Sequence, residues 1–288
     1  MSKATNAILE YPGDRRVVAT GVRRLAVCGD WHANVGWMEL ALNHIATQNI
    51  ELVVHVGDLG FFPNWDNVPD GFLTPMNDLL AENGLQMVFI DGNHDDHSVL
   101  KKQSQDYEKL DSPLPSWDRI TYMPRGSLLE FPEASRDWRR WLMVGGAASI
   151  DRDMRTPGLD WWLDEALTDT DVERASAWEG INVLVAHDCP ALKHDPFATL
   201  GKPEWASFEV MRSLAANRQK LGRIMTAAHP RLVVHGHYHK YYYQMPEVPD
   251  EPTLLGLDCD GAKDPADNIE IIDIVDEPDD AKVPEDWG

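Results

Sequence analysis

Basic residues are scarce in this sequence: 26 Lys and Arg stand against 48 Asp and Glu in 288 residues, a formal net charge of -22. Such a field repels polyanions, and without a Lys/Arg-rich tract there is no electrostatic footprint for long duplex nucleic acid. A small phosphate substrate is not excluded, because bound divalent cations would invert the sign of the field locally. Cysteine is equally sparse. Cys28, Cys189 and Cys259 are odd in number and widely spaced, which excludes a CxxC metal cluster and fits reduced, mostly buried thiols of a cytoplasmic protein. Long apolar runs are missing as well. Residues 1–14 lack the apolar centre of a secretion signal, and no later run reaches membrane-spanning length. The expectation is a soluble cytoplasmic protein with no membrane partner.

What the sequence does have is a hydrophobic fraction of 43%, enough for the core of one large domain with insertions. Its organising stretch is Leu52–Gly60, an apolar run ending in Gly57-Asp58-Leu59-Gly60. A buried strand that gives way to a tight turn holds a carboxylate where a metal ligand is needed. The device recurs at Leu25–His32, ending in Gly29-Asp30-Trp31-His32, and at Met87–Asp96, ending in Asp91-Gly92-Asn93-His94-Asp95-Asp96. Any one Gly-Asp turn is ordinary. Three in the first 96 residues deliver oxygen and imidazole groups suited to transition metals. Two later strands, Ile181–Ala186 and Leu232–Val234, end in His187 and in His235-Gly236-His237-Tyr238-His239.

Between these points the spacing predicts a helix at 37–45 and another over Pro75–Asn83, with Thr74 as its cap and Gly84 as its terminator. Strands alternating with helices argue for an α/β architecture whose functional groups gather on one sheet edge. Phe61, Phe62 and Trp65 lie in a long loop expected to fold over the core. Residues 97–117 are polar and poorly periodic, an excursion beside the site, and short strands are expected at 120–123, 127–131 and 138–144. Gly145–Asp151 permits close backbone approach. Thr156-Pro157-Gly158 fits a helix start with Trp162 and Leu163 on its packing face, and an acidic linker leads on to Ile181. Phe208–Asn217 and Leu221–Ala228 read as two helices. From Glu247 on there are 15 acidic residues and two lysines, interrupted by Thr253–Leu257 and Ile269–Val275, which could close a sheet as a hairpin. Residues 1–20 are expected to be a lead-in, 21–277 the functional domain and 278–288 an acidic tail.

The ordered set Asp30-Trp31-His32, Gly57-Asp58, Gly92-Asn93-His94-Asp95, His187 and Gly236-His237-Tyr238-His239 resembles the calcineurin-like metallophosphoesterase family, from about Leu25 to His239. Gly145–Asp151 with Arg155 is similar to a glycine-rich signature of small phage and bacterial members. The resemblance implies a four-layer α/β/β/α sandwich with two central mixed sheets and a dinuclear metal site. It implies Asp30, His32, Asp58 and His239 on one ion and Asp58, Asn93, His187 and His237 on the other, with Asp58 bridging. The ions would be divalent or mixed-valence transition metals, Mn foremost, with Fe, Zn or Co as alternatives. The implied reaction is attack by a metal-activated hydroxide on a phosphomonoester or small phosphodiester, with His94 as general acid and Asn93 and Arg155 meeting substrate. Two other functions fit the same residues: a nuclease acting on short or single-stranded ends, and an inactive metal-binding scaffold. In the protein Ser/Thr phosphatase branch an Asp three residues after the bridging Asp orients the catalytic His. Phe61 stands there in this chain, which leaves Asp95 and Asp96 as local substitutes for that role and Arg125 beside Arg155 as a second phosphate-binding arginine.

Overall fold

The computed structural model describes residues 7–62, 71–110, 115–197, 203–248 and 251–275. Trp65 and the 278–288 tail lie outside the described residues. Residues 8–20, expected as a lead-in, form a hairpin of β1 (Ile8–Gly13) and β2 (Arg16–Thr20). Strand-helix units follow: β3 (Arg24–Cys28), α1 (Val35–Ala46), β4 (Leu52–His55), α2 (Leu73–Glu82), β5 (Gln86–Phe89) and α3 (His97–Leu110). Then come β6 (Pro115–Trp117), β7 (Ile120–Tyr122), β8 (Ser127–Glu130) and β9 (Arg140–Val144). The last third contributes α4 (Asp169–Ala175), β10 (Val183–Ala186), α5 (Phe208–Ala228), β11 (Leu232–His235), β12 (Tyr242–Gln244), β13 (Thr253–Gly256) and β14 (Ile269–Asp273).

Two mixed sheets result. One runs β14-β3-β4-β5-β7-β6 and the other β1-β2-β8-β9-β10-β11-β13-β12. Their centres are parallel: β3, β4, β5 and β7 in the first, β9, β10, β11 and β13 in the second. Parallel strands buried on both faces read as continuous apolar runs, and alternate residues serve different layers. Leu25, Val27, Leu52, Val54 and Val88 point inward against Trp141, Met143, Val183, Val185 and Val234 of the facing sheet. Ala26, Cys28, Val53, Met87 and Phe89 point outward onto Met38, Leu42, Ile45, Met76 and Leu80 of α1 and α2. On the far side, Leu142, Val144, Leu184 and Val233 pack on α4 and α5 through Val172, Ala175, Leu221 and Ile224. The expected α/β/β/α sandwich is thus built from period-two strands, each fully buried aliphatic contributing about 1.5–3 kcal/mol.

Several local expectations change. Residues 97–110 form helix α3 although they are polar, because Asp96 caps the first turn by accepting the Ser98 and Val99 N–H groups and Leu100 alone anchors it among its described, fully buried apolar side chains. Thr74 lies inside the first turn of α2 and does not cap it. Thr156–Asp160 is a turn, not a helix start: Gly158 adopts φ +77 and Leu163 is 81% exposed. The helix in this region is α4, in the presumed acidic linker, opened by a capping box between Thr168 and Asp171. The two helices expected at 208–228 are one, α5, since Arg218-Gln219-Lys220 contains no breaker. Finally, β13 and β14 do not form a hairpin. β13 pairs with β11 and β12, whereas β14 pairs antiparallel with β3, so residues 257–268 cross from one sheet to the other. No helix among the described residues is long and apolar enough to cross a membrane.

A candidate dinuclear metal centre at the strand ends

The carboxyl ends of the parallel strands of both sheets meet at one edge, where an α/β fold places its ligands. β3 leads to Asp30 and His32, β4 to Asp58, β5 to Asn93 and His94, β10 to His187, and β11 to His237 and His239. The loops are tied to one another: the Asp58 carbonyl accepts the Trp31 and His32 N–H groups at 3.0 and 2.9 Å, and Asp58 Oδ1 accepts the His94 N–H at 2.6 Å. Close approach needs glycine at two points. A methyl on Gly92 would collide with the Asp58 carboxylate, and one on Gly236 with that of Asp30. His32, Asp58, His237 and His239 all have positive φ, between +46° and +68°, so the turns are held in a region that non-glycine residues rarely adopt.

The donor atoms form three overlapping trios, Asp30-His32-His239, His32-Asp58-His94 and Asp58-His187-His237, within each of which all atoms lie within 4.8 Å of one another. Asp58 Oδ2 stands between the rings, 3.5 Å from His32 Nε2 and 3.3 Å from His187 Nε2. Asp30 Oδ2 is 3.2 Å from His239 Nε2, and Asn93 Oδ1 is 3.2 Å from His187 Nε2. Asp58, Asn93 and His187 are buried, while the His239 side chain is 45% exposed and opens this edge to solvent.

This donor set fits cations. A backbone carbonyl can only accept, so His187 Nδ1–H donates to Val56 O at 2.9 Å, and a neutral ring turns its Nε2 lone pair toward Asp58 and Asn93 oxygens. Lone pairs that converge in a buried space repel unless a proton or metal ion lies among them. Without a metal, protons fill that role. Burial opposes the charged imidazole, but Asp58 outweighs it, pushing His187 up to about 10 and His32 up to about 9. The Asp30 hydrogen bond leads in raising His239 to about 10. His237 moves the other way, to about 3, through burial and the neighbouring His187 charge. Raised values mean rings protonated at neutral pH, and a metal takes the same lone pair. Metal loading is therefore expected to release protons, with apparent affinity rising as pH rises. Isothermal titration in buffers of different ionisation enthalpy measures this, and a binding enthalpy independent of buffer would contradict it.

The calcineurin-like phosphoesterase family model matches residues 23–241, the span that carries every one of these groups. The chain belongs to this family. No curated protein sequence matches it. Among solved structures, a dimetal phosphatase from Danio rerio is similar over 88% of this chain and 93% of its own, with a TM-score of 0.53 and 10% identity. A Thermus thermophilus protein is similar over 88% and 99%, with a TM-score of 0.46 and 11% identity. At such identities the likeness concerns the fold alone. Family, fold and the overlapping His/Asp trios together make the protein a metal-dependent phosphoesterase.

Around the phosphoesterase centre, other sequence expectations resolve. His94, kept out of the ligand set by the family pattern, lies within reach of His32 and Asp58, and its Nε2 is 2.6 Å from Arg155 Nη2. Arg155 in turn pairs with Asp151 at 2.8 Å. Asp95 and Asp96 do not orient His94. Asp95 accepts the N–H groups of Gly60, Phe61 and Gly92 and braces two loops, while Asp96 caps α3. Phe61 is buried against Phe89, as a loop folded over the core requires. Arg125 is not available to a phosphate: it is clamped by Asp91 and by the carbonyls of Asp164, Glu165 and Ala166. His235 bonds Tyr242 Oη at 2.5 Å and the Gly236 carbonyl at 2.9 Å. His55 has no hydrogen-bond partner among the described residues. It sits edge-on to Trp31 at 4.8 Å, and burial above all lowers it to about 3, so it is a neutral packing group. Burial pushes the Cys189 thiol up to about 12, which suits no nucleophile.

Asp260 carries no signal in the sequence. It lies in the acidic segment that begins at Glu247, yet its Oδ1 is 2.7 Å from His32 Nδ1 and its Oδ2 accepts from Asn34 Nδ2 at 2.7 Å. The crossing of residues 257–268 between the sheets brings it there.

Proposed function

We propose that this phosphoesterase hydrolyses a phosphomonoester or a small phosphodiester with two transition-metal ions, manganese foremost and Fe, Zn or Co as alternatives. The observation that carries the reading is the position of Asp58 Oδ2 between His32 Nε2 and His187 Nε2, which suits a carboxylate shared by two ions. Asp30, His32 and His239 complete one set of ligands; Asn93, His187 and His237 complete the other. The two ions supply positive charge for the phosphate oxygens and the acidity that makes a water nucleophilic.

The chain's own groups do the rest. Arg155 approaches the phosphate oxygens. In the resting site the Arg155 guanidinium donates to His94 Nε2, so a neutral His94 carries its proton on Nδ1. Burial leads in lowering this ring's pKa, and the Arg155 and His32 charges add to it. When phosphate draws the guanidinium away, Nε2 is free to take up a proton from solvent and deliver it to the leaving oxygen as the P–O bond breaks. The net charge of -22 supports a small substrate over long duplex nucleic acid. Three unpaired cysteines, two of them buried, support the cytoplasm as its compartment.

The test is a matched panel: an aryl phosphomonoester, an activated diester, cyclic nucleotides, and short single-stranded DNA and RNA, offered to metal-reconstituted protein at physiological salt. Turnover of the monoester or small diesters is expected to exceed that of oligonucleotides. Sustained preference for oligonucleotides would make the protein a nuclease, and two bound ions with no turnover of any member would make it a scaffold.

A further inference from the structure

Asn93 is the one amide in the proposed ligand set, and an amide coordinates only through oxygen. Which way it faces is a matter of its hydrogen bonds, since the two ends have nearly the same shape. Asn93 Nδ2 is 3.1 Å from Ser149 Oγ, and Ser149 Oγ is 2.7 Å from Glu165 Oε2. Glu165 Oε1 accepts the Ser149 backbone N–H at 2.7 Å. All three side chains are buried, with Asn93 at 2%, Ser149 at 2% and Glu165 at 3% exposure, so solvent offers few competing partners. None of these links involves the substrate.

The chain of bonds has a direction. A carboxylate only accepts, so the single hydroxyl proton of Ser149 goes to Glu165. The Ser149 oxygen is then left as an acceptor, and only the NH2 end of Asn93 satisfies it. The amide oxygen must face His187, whose Nε2 lies 3.2 Å away. With the amide reversed, Ser149 would have one proton for two acceptors, and a buried acceptor would go unsatisfied. We infer that Glu165, acting through Ser149, sets the orientation of the Asn93 amide and so makes it a metal ligand. Both are positioning residues, and this gives the glycine-rich segment a purpose: Gly145 and Gly146 let the chain press against Asp91 and the Glu165 carbonyl, which brings Ser149 under Asn93.

The inference rests on Asn93 being a ligand, and the experiment separates the two. Metal content and the affinity of each ion are measured by elemental analysis and isothermal titration, on variants that retain the thermal melting of the metal-free protein. Asn93→Ala is expected to lose one of two ions; if it keeps both, the ligand assignment fails. Glu165→Gln preserves shape but puts a donor against Ser149, reversing the chain. It is expected to weaken one ion by ~10–100-fold, the usual cost of losing a group that orients a ligand. In the Asn93→Asp background the ligand has oxygen at both ends and accepts the Ser149 proton, so the same Glu165→Gln change is expected to cost nothing. An equal loss in both backgrounds would reduce Glu165 to a packing role, and no loss in either would overturn the inference while leaving Asn93 in place as a ligand.

Discussion

Asp58→Asn is expected to lower kcat/KM by about three orders of magnitude, the scale of the several kcal/mol that metal-centred charge stabilisation supplies. The substitution is a clean one. Asn tolerates the φ of +51° at this position, keeps the oxygen that accepts the His94 N–H, and removes one negative charge where His32 and His187 converge. With that carboxylate gone, two ions held by His32 and His187 would have less negative charge between them. The metal-induced rise in melting temperature should shrink with the activity, because ligand binding to the folded state is what produces that rise. Kinetics, metal content and melting on the same preparation provide the check, and wild-type turnover with two ions bound would dispose of the shared-carboxylate mechanism.

His94→Asn distinguishes an acid from a ligand, a choice the distances alone leave evenly posed because His94 joins His32 and Asp58 in one of the three trios. A proton donor matters most when the leaving oxygen is basic. The variant is therefore expected to lose ~10²–10⁴-fold in kcat on an alkyl phosphate, much less on an ester with an acidic phenol, and to retain both ions. Loss of an ion together with a uniform fall on both esters would place His94 among the ligands instead. Arg155, 2.6 Å from His94 Nε2, is expected to matter for both substrates alike, since phosphate is common to them.

Much of this site was legible in the sequence because the fold displays it at strand ends. A strand buried on both faces announces itself as an apolar run, and the residues that follow it are fixed in space by the strand, so Asp30, Asp58, Asn93, His187 and His237 could each be placed at a strand end, and the family resemblance grouped them. Helix α3 was not legible because, among its described side chains, the Asp96 cap, the buried Leu100 and the partly buried Val99 hold it in place of a regular apolar stripe. The fate of β13 and β14 was not legible either: two apolar pieces with a polar connection look alike whether they join one sheet or two. Asp260 and Glu165 were invisible for a deeper reason. Each acts on a residue far away in the chain, His32 or Asn93 through Ser149, and a hydrogen bond between distant segments leaves no local pattern of spacing or composition. Arg125 shows the converse, an arginine whose type suggested phosphate and whose surroundings consume every donor.

The pairing of β14 with β3 ties Asp30 and His32 to residues 269–273, far along the chain. Ile269 to Asp273 zip against Cys28 to Arg24, the Gly29 N–H donates to Asn268 O at 2.9 Å, and the indoles of Trp31 and Trp37 both donate to Asn268 Oδ1 at 3.0 Å. During synthesis, then, β3 leaves the ribosome long before β14, the strand that pairs with it. Until residue 273 has emerged, β3 remains an open sheet edge able to pair with other chains, and the Asp30-Trp31-His32 turn lacks its supports. The Asp30-Trp31-His32 turn is accordingly completed only once β14 has emerged, and metal acquisition there would follow that pairing.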